Sequence, residues 1–317
     1  MATRKNALLI AGGGTLGTYV AKELLSLGCA VDVICPEEKV SWHEHLRFIQ
    51  SLATDELLRE LFAKKHYDGI VNFIHYKDPE EYKRVHPLLM SGTDHLIFLS
   101  SYRVYADEQH PITESAPRLT EVVKDPVFLE TEDYAVPKSK CEDFLRNDCK
   151  GQPWTIVRPV ISFSDRRLDL LLYSKQAVIE YPQTGREMPL PETVRDYKAG
   201  LDWAGNSGKL IAHLLFQPAA MGETFTVYSG HGMTWGEVAE AYTAHTGVQI
   251  RWCSEEEYIK SVSHIEKKHW MWVYDRKFNR DIDCSKILRV TGLSKNDFAT
   301  VSEGIATELA KLKNEQH

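Results

Sequence analysis

Short apolar runs alternate with longer amphipathic segments along the first half of the chain. The runs have the length of strands buried on both faces, and the amphipathic segments have the length and spacing of helices with one buried face. This alternation predicts an α/β fold, a doubly wound, Rossmann-like parallel sheet with right-handed crossovers and a ligand crevice at the carboxyl ends of its strands. The predicted strands are 7–11, 30–34, 70–74, 96–99 and 154–157, and the predicted helices are 55–65, 79–90, 131–147 and 301–313.

A glycine-rich turn follows the first predicted strand. The segment Gly12-Gly13-Gly14-Thr15-Leu16-Gly17 leads directly into an amphipathic segment that ends at Gly28. Between a strand and a helix, such glycines let the backbone turn sharply and approach a diphosphate, which the free N–H groups of the helix N-terminus bind. A tight turn without a ligand is the alternative, but the strand–turn–helix context favours a dinucleotide site.

The end of the second predicted strand bears on the choice between NAD and NADP. The sequence there is Cys35-Pro36-Glu37-Glu38-Lys39, without an arginine that could hold the 2′-phosphate of NADP. Glu37 lies at about the spacing of the acid that binds the ribose hydroxyls of NAD, and its charge would repel a phosphate. This favours NAD. NADP stays open, because a basic residue distant in sequence could supply the phosphate contact.

Tyr134 and Lys138 are four residues apart within a predicted helix, so that both would lie on one face of it. A free phenol ionises at a pH of about 10, too high for proton exchange near neutrality. An ammonium group beside it favours the phenolate and brings its pKa towards the range of a general acid/base. The same spacing also occurs on ordinary solvated helix faces, so the assignment depends on the other motifs.

Composition and charge narrow the class of protein. The 317 residues are 43% hydrophobic and 26% charged, with a net charge of −7, which argues against a nucleic-acid or membrane surface. Six scattered cysteines without a C-x-x-C pair indicate reduced thiols, and His43 and His45 lack a third ligand, so we expect no metal site. The apolar run after Arg4 and Lys5 is too short for a signal peptide or a membrane span, and we expect a cytoplasmic protein.

The C-terminal part is expected to form a smaller substrate lobe. We assign residues 1–160 and about 193–228 to the dinucleotide-binding domain, and about 161–192 and 229–317 to the lobe. Aromatic side chains belong more often to a core than to a pocket. The lobe's tryptophans are Trp235, Trp252, Trp270 and Trp272.

Further motifs follow the glycine turn in a fixed order and span nearly the whole chain. They are Ser100-Ser101-Tyr102-Arg103-Val104-Tyr105, Tyr134-x-x-x-Lys138, Val157-Arg158-Pro159, Arg195-Asp196-Tyr197, Asp202 with Ala204, Gly222-Glu223-Thr224-Phe225, Asp283-x-Ser285-Lys286 and Thr291-Gly292-Leu293. In this order they resemble the extended short-chain dehydrogenase/reductases, the NAD-dependent epimerase/dehydratase family. The ordered set is far more specific than any one motif.

The resemblance implies a role for each matched residue. Ser101 would hydrogen-bond the substrate oxygen, Tyr134 would move the hydroxyl proton, and Lys138 would lower the pKa of that tyrosine and hold the nicotinamide ribose. Arg195 matches an arginine that contacts the diphosphate of nucleotide sugars, with a surface salt bridge as the alternative. Cofactor contacts would come from Gly12, Gly14, Thr15, Leu16, Gly17, Glu37, Lys138 and Pro159, and substrate contacts from Ser101, Tyr102 and Arg195.

The chain also departs from the family pattern. The family's first glycine is Ala11 here, and the stretch Gln50-Ser51-Leu52-Ala53 lacks an acid that is often found near the adenine. Members that dehydrate sugars have an Asp-Glu pair directly after the catalytic hydroxyl, where this chain has Tyr102-Arg103. Without that carboxylic acid, the leaving hydroxyl has no proton donor, and we do not expect 4,6-dehydration.

The resemblance therefore implies an NAD(P)-dependent epimerase or reductase that acts by hydride transfer at a secondary alcohol or ketone, most often of a nucleotide sugar. The predicted catalytic triad of Ser101, Tyr134 and Lys138 serves both reactions, and a homodimer is compatible with either. Two alternatives stay open: a ketoreductase of a non-sugar small molecule, and a non-catalytic relative that binds a cofactor or RNA. The intact triad counts against the second, because a pure binder does not need all three residues.

Overall fold

Eleven strands occur in the structure, a computed structural model that describes residues 4–314. The strands are β1 (Asn6–Ile10), β2 (Ala30–Cys35), β3 (Leu46–Gln50), β4 (Gly69–Asn72), β5 (Leu96–Leu99), β6 (Trp154–Pro159), β7 (Ile161–Phe163), β8 (Met188–Pro191), β9 (Leu201–Trp203), β10 (Glu223–Val227) and β11 (Ile250–Cys253). Each of the five predicted strands is present, with ends that differ by up to two residues.

The α-helices occupy the segments between these strands and the end of the described chain. They are α1 (Thr15–Ser26), α2 (Asp55–Lys64), α3 (Pro79–Ser91), α4 (Leu119–Val122), α5 (Pro126–Thr131), α6 (Ala135–Asp148), α7 (Lys175–Glu180), α8 (Ala204–Leu214), α9 (Trp235–Thr246), α10 (Glu255–Ser261), α11 (His269–Met271), α12 (Ser285–Thr291) and α13 (Val301–Asn314). The helices predicted over 55–65, 79–90 and 301–313 are confirmed.

The main sheet has seven parallel strands in the order β10-β6-β5-β4-β1-β2-β3. From β1 the chain adds β2 and β3 on one side and then β4, β5 and β6 on the other. The direction of winding therefore reverses between β1 and β4, which is the point where a doubly wound sheet opens a ligand crevice. The predicted fold class is confirmed.

Helices cover both faces of this sheet. Val20, Leu24 and Leu210 belong to an apolar core between one face and the pair α1 and α8. Tyr82 and Leu145 belong to a second core, between the other face and helices α2, α3 and α6. Because both faces are covered, the central strands are apolar on both sides, which is why they appear in the sequence as continuous apolar runs.

A third core lies in the C-terminal lobe, where β8 pairs with β11 and β7 pairs with β9. Trp235 and Trp272 are buried in this core, as the sequence pattern favours. Trp270 instead packs edge-on against Phe128 of α5, which connects the lobe to the first domain. The domain boundaries themselves stay a prediction.

Asp32 is a charged residue inside a buried strand, and the structure explains it. Its carboxylate accepts hydrogen bonds from Arg47 of β3 at 2.7 and 2.9 Å, from Lys65 at 3.2 Å and from the Tyr67 hydroxyl at 2.7 Å. Burial by itself would raise the pKa of Asp32, but Arg47 and its other partners outweigh burial and lower it. Asp32 is therefore an ionised structural residue that fastens the edge strand β3 to the sheet.

Two findings concern residues 4–314 as a whole. None of their helices combines the length and the apolar composition needed to span a lipid bilayer. No three His, Cys, Asp or Glu side chains among them are grouped as metal ligands would be, and His43 and His45 lie in the loop before β3.

Candidate active site

A cavity of about 740 Å³ lies at the carboxyl ends of the sheet strands, where the chain continues into the C-terminal lobe. The residues that directly follow β1, β4, β5 and β6 contribute Ala11, Phe73, Ser100 and Val160 to its wall. Residues of the glycine turn and residues of the lobe both line it, so cofactor-type and substrate-type surfaces share one space. This is the crevice that the strand order predicts.

The glycine turn is built by close packing, and Gly14 is its exception. A Cβ at Gly17 would lie 2.2 Å from the carbonyl oxygen of Gly12, so only glycine allows the helix to approach the strand this closely. A Cβ at Gly14 would meet nothing within 4 Å, and Gly14 lines the cavity. Ala11 has a positive φ of 54° where the family has glycine, which costs about 1–2 kcal/mol and shows that the tight turn is kept without the glycine.

Tyr134 is the N-cap of helix α6 and not part of its regular body, which corrects the prediction of one helix over 131–147. The physical reason is Pro137: it has no N–H to donate to the carbonyl of residue 133, so a regular helix cannot extend further back. Glu132 supplies the cap, since its carboxylate accepts hydrogen bonds from the N–H groups of Tyr134, Ala135 and Val136 at 2.6–3.0 Å. The phenol is thus fixed by the start of the helix, one turn before Lys138.

Tyr134 lines the cavity, and Lys138 lies close to its ring. The ammonium group of Lys138 lies 5.2 Å from the centre of the Tyr134 ring and donates a hydrogen bond to the Leu99 carbonyl at 2.6 Å. Burial by itself would raise the pKa of Tyr134, but the charges of Lys138 and Arg103 outweigh it, with a smaller contribution from the Ser101 hydroxyl, and lower that pKa below 10. Burial lowers the pKa of Lys138 as well. The phenol is therefore primed to exchange a proton.

Ser101 occupies the end of β5, next to this pair. It is buried and lines the cavity, and its hydroxyl oxygen accepts a hydrogen bond from the Arg103 N–H at 3.2 Å. That bond begins a short turn over 102–104, which fixes the direction of the serine. Ser101, Tyr134 and the glycine turn thus face the same space.

Tyr102 also lines the cavity, but its pKa is shifted in the opposite direction from that of Tyr134. Its hydroxyl donates to Asp275 at 2.6 Å and accepts from Arg276 at 3.0 Å. Burial, with the neighbouring charge of Asp275, raises the pKa of Tyr102. This phenol stays neutral and serves as a link between the sheet and the lobe.

Arg103 provides a second positive charge beside Tyr134. The carbon at the centre of its guanidinium lies 4.8 Å from the centre of the phenol ring. The group is held by Glu132 at 3.2 Å and by Asp275 of the lobe at 3.6 Å. Glu132 also caps the helix that follows Tyr134, so one carboxylate holds both the guanidinium of Arg103 and the backbone of Tyr134. Where dehydratases carry an acid, this chain carries a cation that favours the phenolate.

Positive side chains dominate the wall of the cavity. Asp169 is the one acid among the described residues of the wall, and it forms ion pairs with Arg167 at 2.6 Å and Arg276 at 3.2 Å. An excess of cations that face one space favours an anionic ligand. The positive residues of the wall are Arg103, Arg166, Arg167, Lys175, Lys268 and Arg276.

Most of the predicted cofactor residues lie along this space. Gly14, Thr15, Leu16, Gly17 and Pro159 line it. Lys138 lies behind Tyr134. Gly12 packs under the turn, where a Cβ would lie 2.7 Å from that of Leu9. Glu37 is exposed, and its carboxylate lies 2.9 Å from the position that a Cβ on Gly13 would occupy.

Arg195 lies outside the cavity wall. Its side chain is 44% exposed, forms an ion pair with Glu192 at 3.4 Å and lies 5.1 Å from the ring centre of Trp252. The structure therefore does not bring Arg195 together with the triad. A substrate contact from this arginine stays a prediction, and the surface salt bridge named as its alternative is present.

Three residues lie near the site although the sequence analysis did not assign them to it. Lys39 and Arg166 both donate a hydrogen bond to the carbonyl of Gly13, one from the end of β2 and one from the lobe. His75 lies with its ring centre 5.0 Å from that of Tyr134. His75 follows β4 at the carboxyl edge of the sheet, which is the single hint that the sequence offers. Arg166 belongs to none of the motifs, and only the tertiary structure places it at the turn.

Comparison with solved structures shows the same fold in NAD-dependent enzymes. The Bacillus anthracis dTDP-glucose 4,6-dehydratase, solved in complex with NAD, is similar to this chain with a TM-score of 0.72, 15% identity, and coverage of 98% of each chain. The Bordetella bronchiseptica enzyme WbmG, in complex with NAD and UDP, has a TM-score of 0.69 and 17% identity over 99% of this chain and 96% of its own. The epimerase Mth375 of Methanothermobacter thermautotrophicus has a TM-score of 0.68 and 15% identity over 96% of this chain and 91% of its own.

These structures confirm the family resemblance as a likeness of fold that extends over nearly the whole chain: the chain has the fold of the extended short-chain dehydrogenase/reductases. At the level of sequence, neither a protein-family model nor a curated protein matches it. The motifs and the geometry of the site therefore carry the argument for function.

Proposed function

We propose that the protein is an NAD-dependent epimerase or reductase that transfers hydride at a secondary alcohol or ketone, with a nucleotide sugar as substrate. The observation that carries this proposal is that Ser101 and Tyr134, with Lys138 beside the phenol ring, lie at the same cavity as the glycine turn. A purely structural helix face would not place a phenol of lowered pKa in such a crevice.

The residues present fit a dinucleotide. Gly14 leaves open space where any other residue would project a side chain into the cavity, and Thr15 begins helix α1 directly behind it. The free N–H groups of the first helical turn are the donors that a diphosphate needs. Relatives of the same fold are solved with NAD or NADH bound, which supports NAD as the cofactor.

Three side chains of the chain would then do the proton chemistry. Bound NAD supplies the acceptor or donor of hydride. Ser101 orients the reacting oxygen of the substrate, and Tyr134 takes its proton in oxidation and returns it in reduction. Lys138 stabilises the phenolate form of Tyr134, and Arg103 adds a second charge to the same effect. Burial of the pair makes each of these charge interactions stronger than it would be in water.

The charge of the cavity supports an anionic substrate. Arg167, Lys175 and Lys268 line the cavity from the lobe, and a nucleotide sugar carries a diphosphate that such cations bind. The WbmG structure contains UDP together with NAD, which supports this substrate class. A non-sugar ketone without charge would leave the excess of cations without a function.

The experiment that tests the proposal is mass spectrometry of the cofactor that stays with the protein through purification. NAD held through purification favours an epimerase, in which the hydride returns to the same substrate. An empty site that binds NADH on addition favours a reductase. Failure to bind NAD or NADP in either form would contradict the proposal and favour the non-catalytic alternative.

Cofactor choice gives a prediction from the charges at the end of β2. NADH should bind more tightly than NADPH by about 1 kcal/mol, because exposed Glu37 beside the glycine turn repels the 2′-phosphate and Lys39 offsets only part of that repulsion. Isothermal titration calorimetry with both cofactors measures the preference. Glu37→Gln should narrow it and Lys39→Gln should widen it. Tighter binding of NADPH to the unmodified protein would reverse this interpretation.

A further inference from the structure

A short segment of the lobe, residues 164–167, lies against the glycine turn, and we call it the strap. The Ser164 hydroxyl lies 3.1 Å from the hydroxyl of Thr15. The guanidinium of Arg166 donates a hydrogen bond to the Gly13 carbonyl at 3.2 Å. The strap therefore contacts the same turn that would hold the cofactor diphosphate, although the predicted domain division places it in the other domain.

The strap is held in one shape by its own backbone. Ser164 and Arg167 exchange two backbone hydrogen bonds, at 2.9 and 3.0 Å. The Ser164 hydroxyl oxygen also accepts from the Arg166 N–H at 3.1 Å. These bonds fix the direction in which the Arg166 side chain leaves the strap. Arg166 therefore loses less conformational entropy when it bonds the turn than an exposed arginine usually does.

A buried carboxylate joins the strap to the helix behind the glycine turn. Glu308 of α13 is fully buried and accepts a hydrogen bond from the Asp165 N–H at 2.7 Å. Its other oxygen accepts from the Tyr19 hydroxyl of α1 and from the Trp203 indole. Because one carboxylate contacts both α1 and the strap, Arg166 and the helix N-terminus keep a fixed relative position.

From this geometry we propose that Arg166 binds the diphosphate of the cofactor from the lobe side, opposite the N–H groups of the glycine turn. This inference rests on the proposed function and adds a residue to the cofactor site. The cofactor would then contact both parts of the protein, with backbone donors on one side and a guanidinium on the other. Arg166 bonds only a neutral carbonyl in the structure, so its charge stays available for a phosphate oxygen.

The test measures affinity for NADH and for ADP-ribose, which contains the diphosphate but no nicotinamide. Arg166→Gln should weaken both roughly tenfold, the lower end of the range for a hydrogen bond to a charged group, because the site is partly open to water. The affinity of the variant should also depend less on salt concentration than that of the wild type, since one screened charge pair is gone. The affinities of Arg166→Lys should lie between those of the wild type and those of Arg166→Gln, because lysine keeps the charge but loses the planar fork.

Arg251→Gln is the matched control, because Arg251 is an arginine of the lobe that lies outside the cavity wall. Its guanidinium is held by Glu257, so the NADH affinity of this variant should stay within about twofold of wild type, which is less than the effect of one hydrogen bond. Arg166→Met, which keeps the aliphatic stem, is a second uncharged variant in case the glutamine form folds poorly.

The outcomes separate this inference from the proposed function. Equal or tighter binding of NADH by Arg166→Gln or Arg166→Met would refute the role of Arg166, and tighter binding would mean that the side chain occupies the place of the cofactor. Wild-type protein that bound neither NADH nor ADP-ribose would refute the cofactor itself.

Discussion

Tyr134→Phe should lower the turnover rate by about 10²–10⁴-fold, the usual contribution of a general acid/base, while NAD affinity changes little. The substitution removes one hydroxyl group and keeps the ring that packs near Lys138 and Arg103. A suitable measurement is the rate of hydride transfer to bound NAD, with UDP- and dTDP-linked hexoses screened as substrates. Wild-type turnover by the phenylalanine variant would show that the phenol is not the proton carrier.

The pH dependence of the rate tests whether Tyr134 is the group that exchanges the proton. In the direction of alcohol oxidation the phenolate is the active form, so the rate should rise as the pH increases through the pKa of Tyr134, which Lys138 and Arg103 lower from the usual value of a phenol. Arg103→Gln removes one of the charges that lower this pKa and should move the rise to higher pH. Lys138→Met should move the rise further, because Lys138 contributes most to the lowering of this pKa, and should also weaken NAD binding if the lysine holds the ribose as the family resemblance implies. The rise should vanish in Tyr134→Phe.

Gly14→Val should abolish measurable binding of NAD and NADH without unfolding the protein. The backbone at Gly14 has a φ of −79°, which any residue adopts, and a Cβ there has no atom of residues 4–314 within 4 Å. The side chain would instead project into the cavity, at the place where the diphosphate approaches the N-terminus of α1. Calorimetric titration with NADH measures the loss.

Gly14→Ala is the graded control, since a single methyl group should weaken binding without abolishing it. Thermal unfolding of both variants should match that of the wild type, because a Cβ at this position has no atom of residues 4–314 within 4 Å. Unchanged NADH affinity in Gly14→Val would show that the cofactor does not approach this turn.

The five predicted strands of the main sheet could be recognised in the sequence because a strand buried on both faces is apolar at consecutive positions. A strand such as Leu96–Leu99 must be apolar throughout, and that run is visible without any structure. The edge strand β3 was not among the predicted strands, because only one of its five residues is buried and its place is fixed by the ion pair between Asp32 and Arg47. The start of α6 could have been read from Pro137, but the carboxylate of Glu132 that caps it gave no separate signal.

By itself, the sequence determined the fold class and the glycine turn and predicted Ser101, Tyr134 and Lys138 as catalytic residues, since each of these follows from local spacing and from the order of motifs along the chain. Only the tertiary structure decided which cations enter the site. Arg103 acts on Tyr134 because Glu132 and Asp275 hold it there, and Arg166 reaches Gly13 across a large separation in sequence. Arg195, which the motif order favoured, lies at the surface beside Glu192. A long side chain can point in many directions, and packing between distant segments, not spacing along the chain, selects one of them.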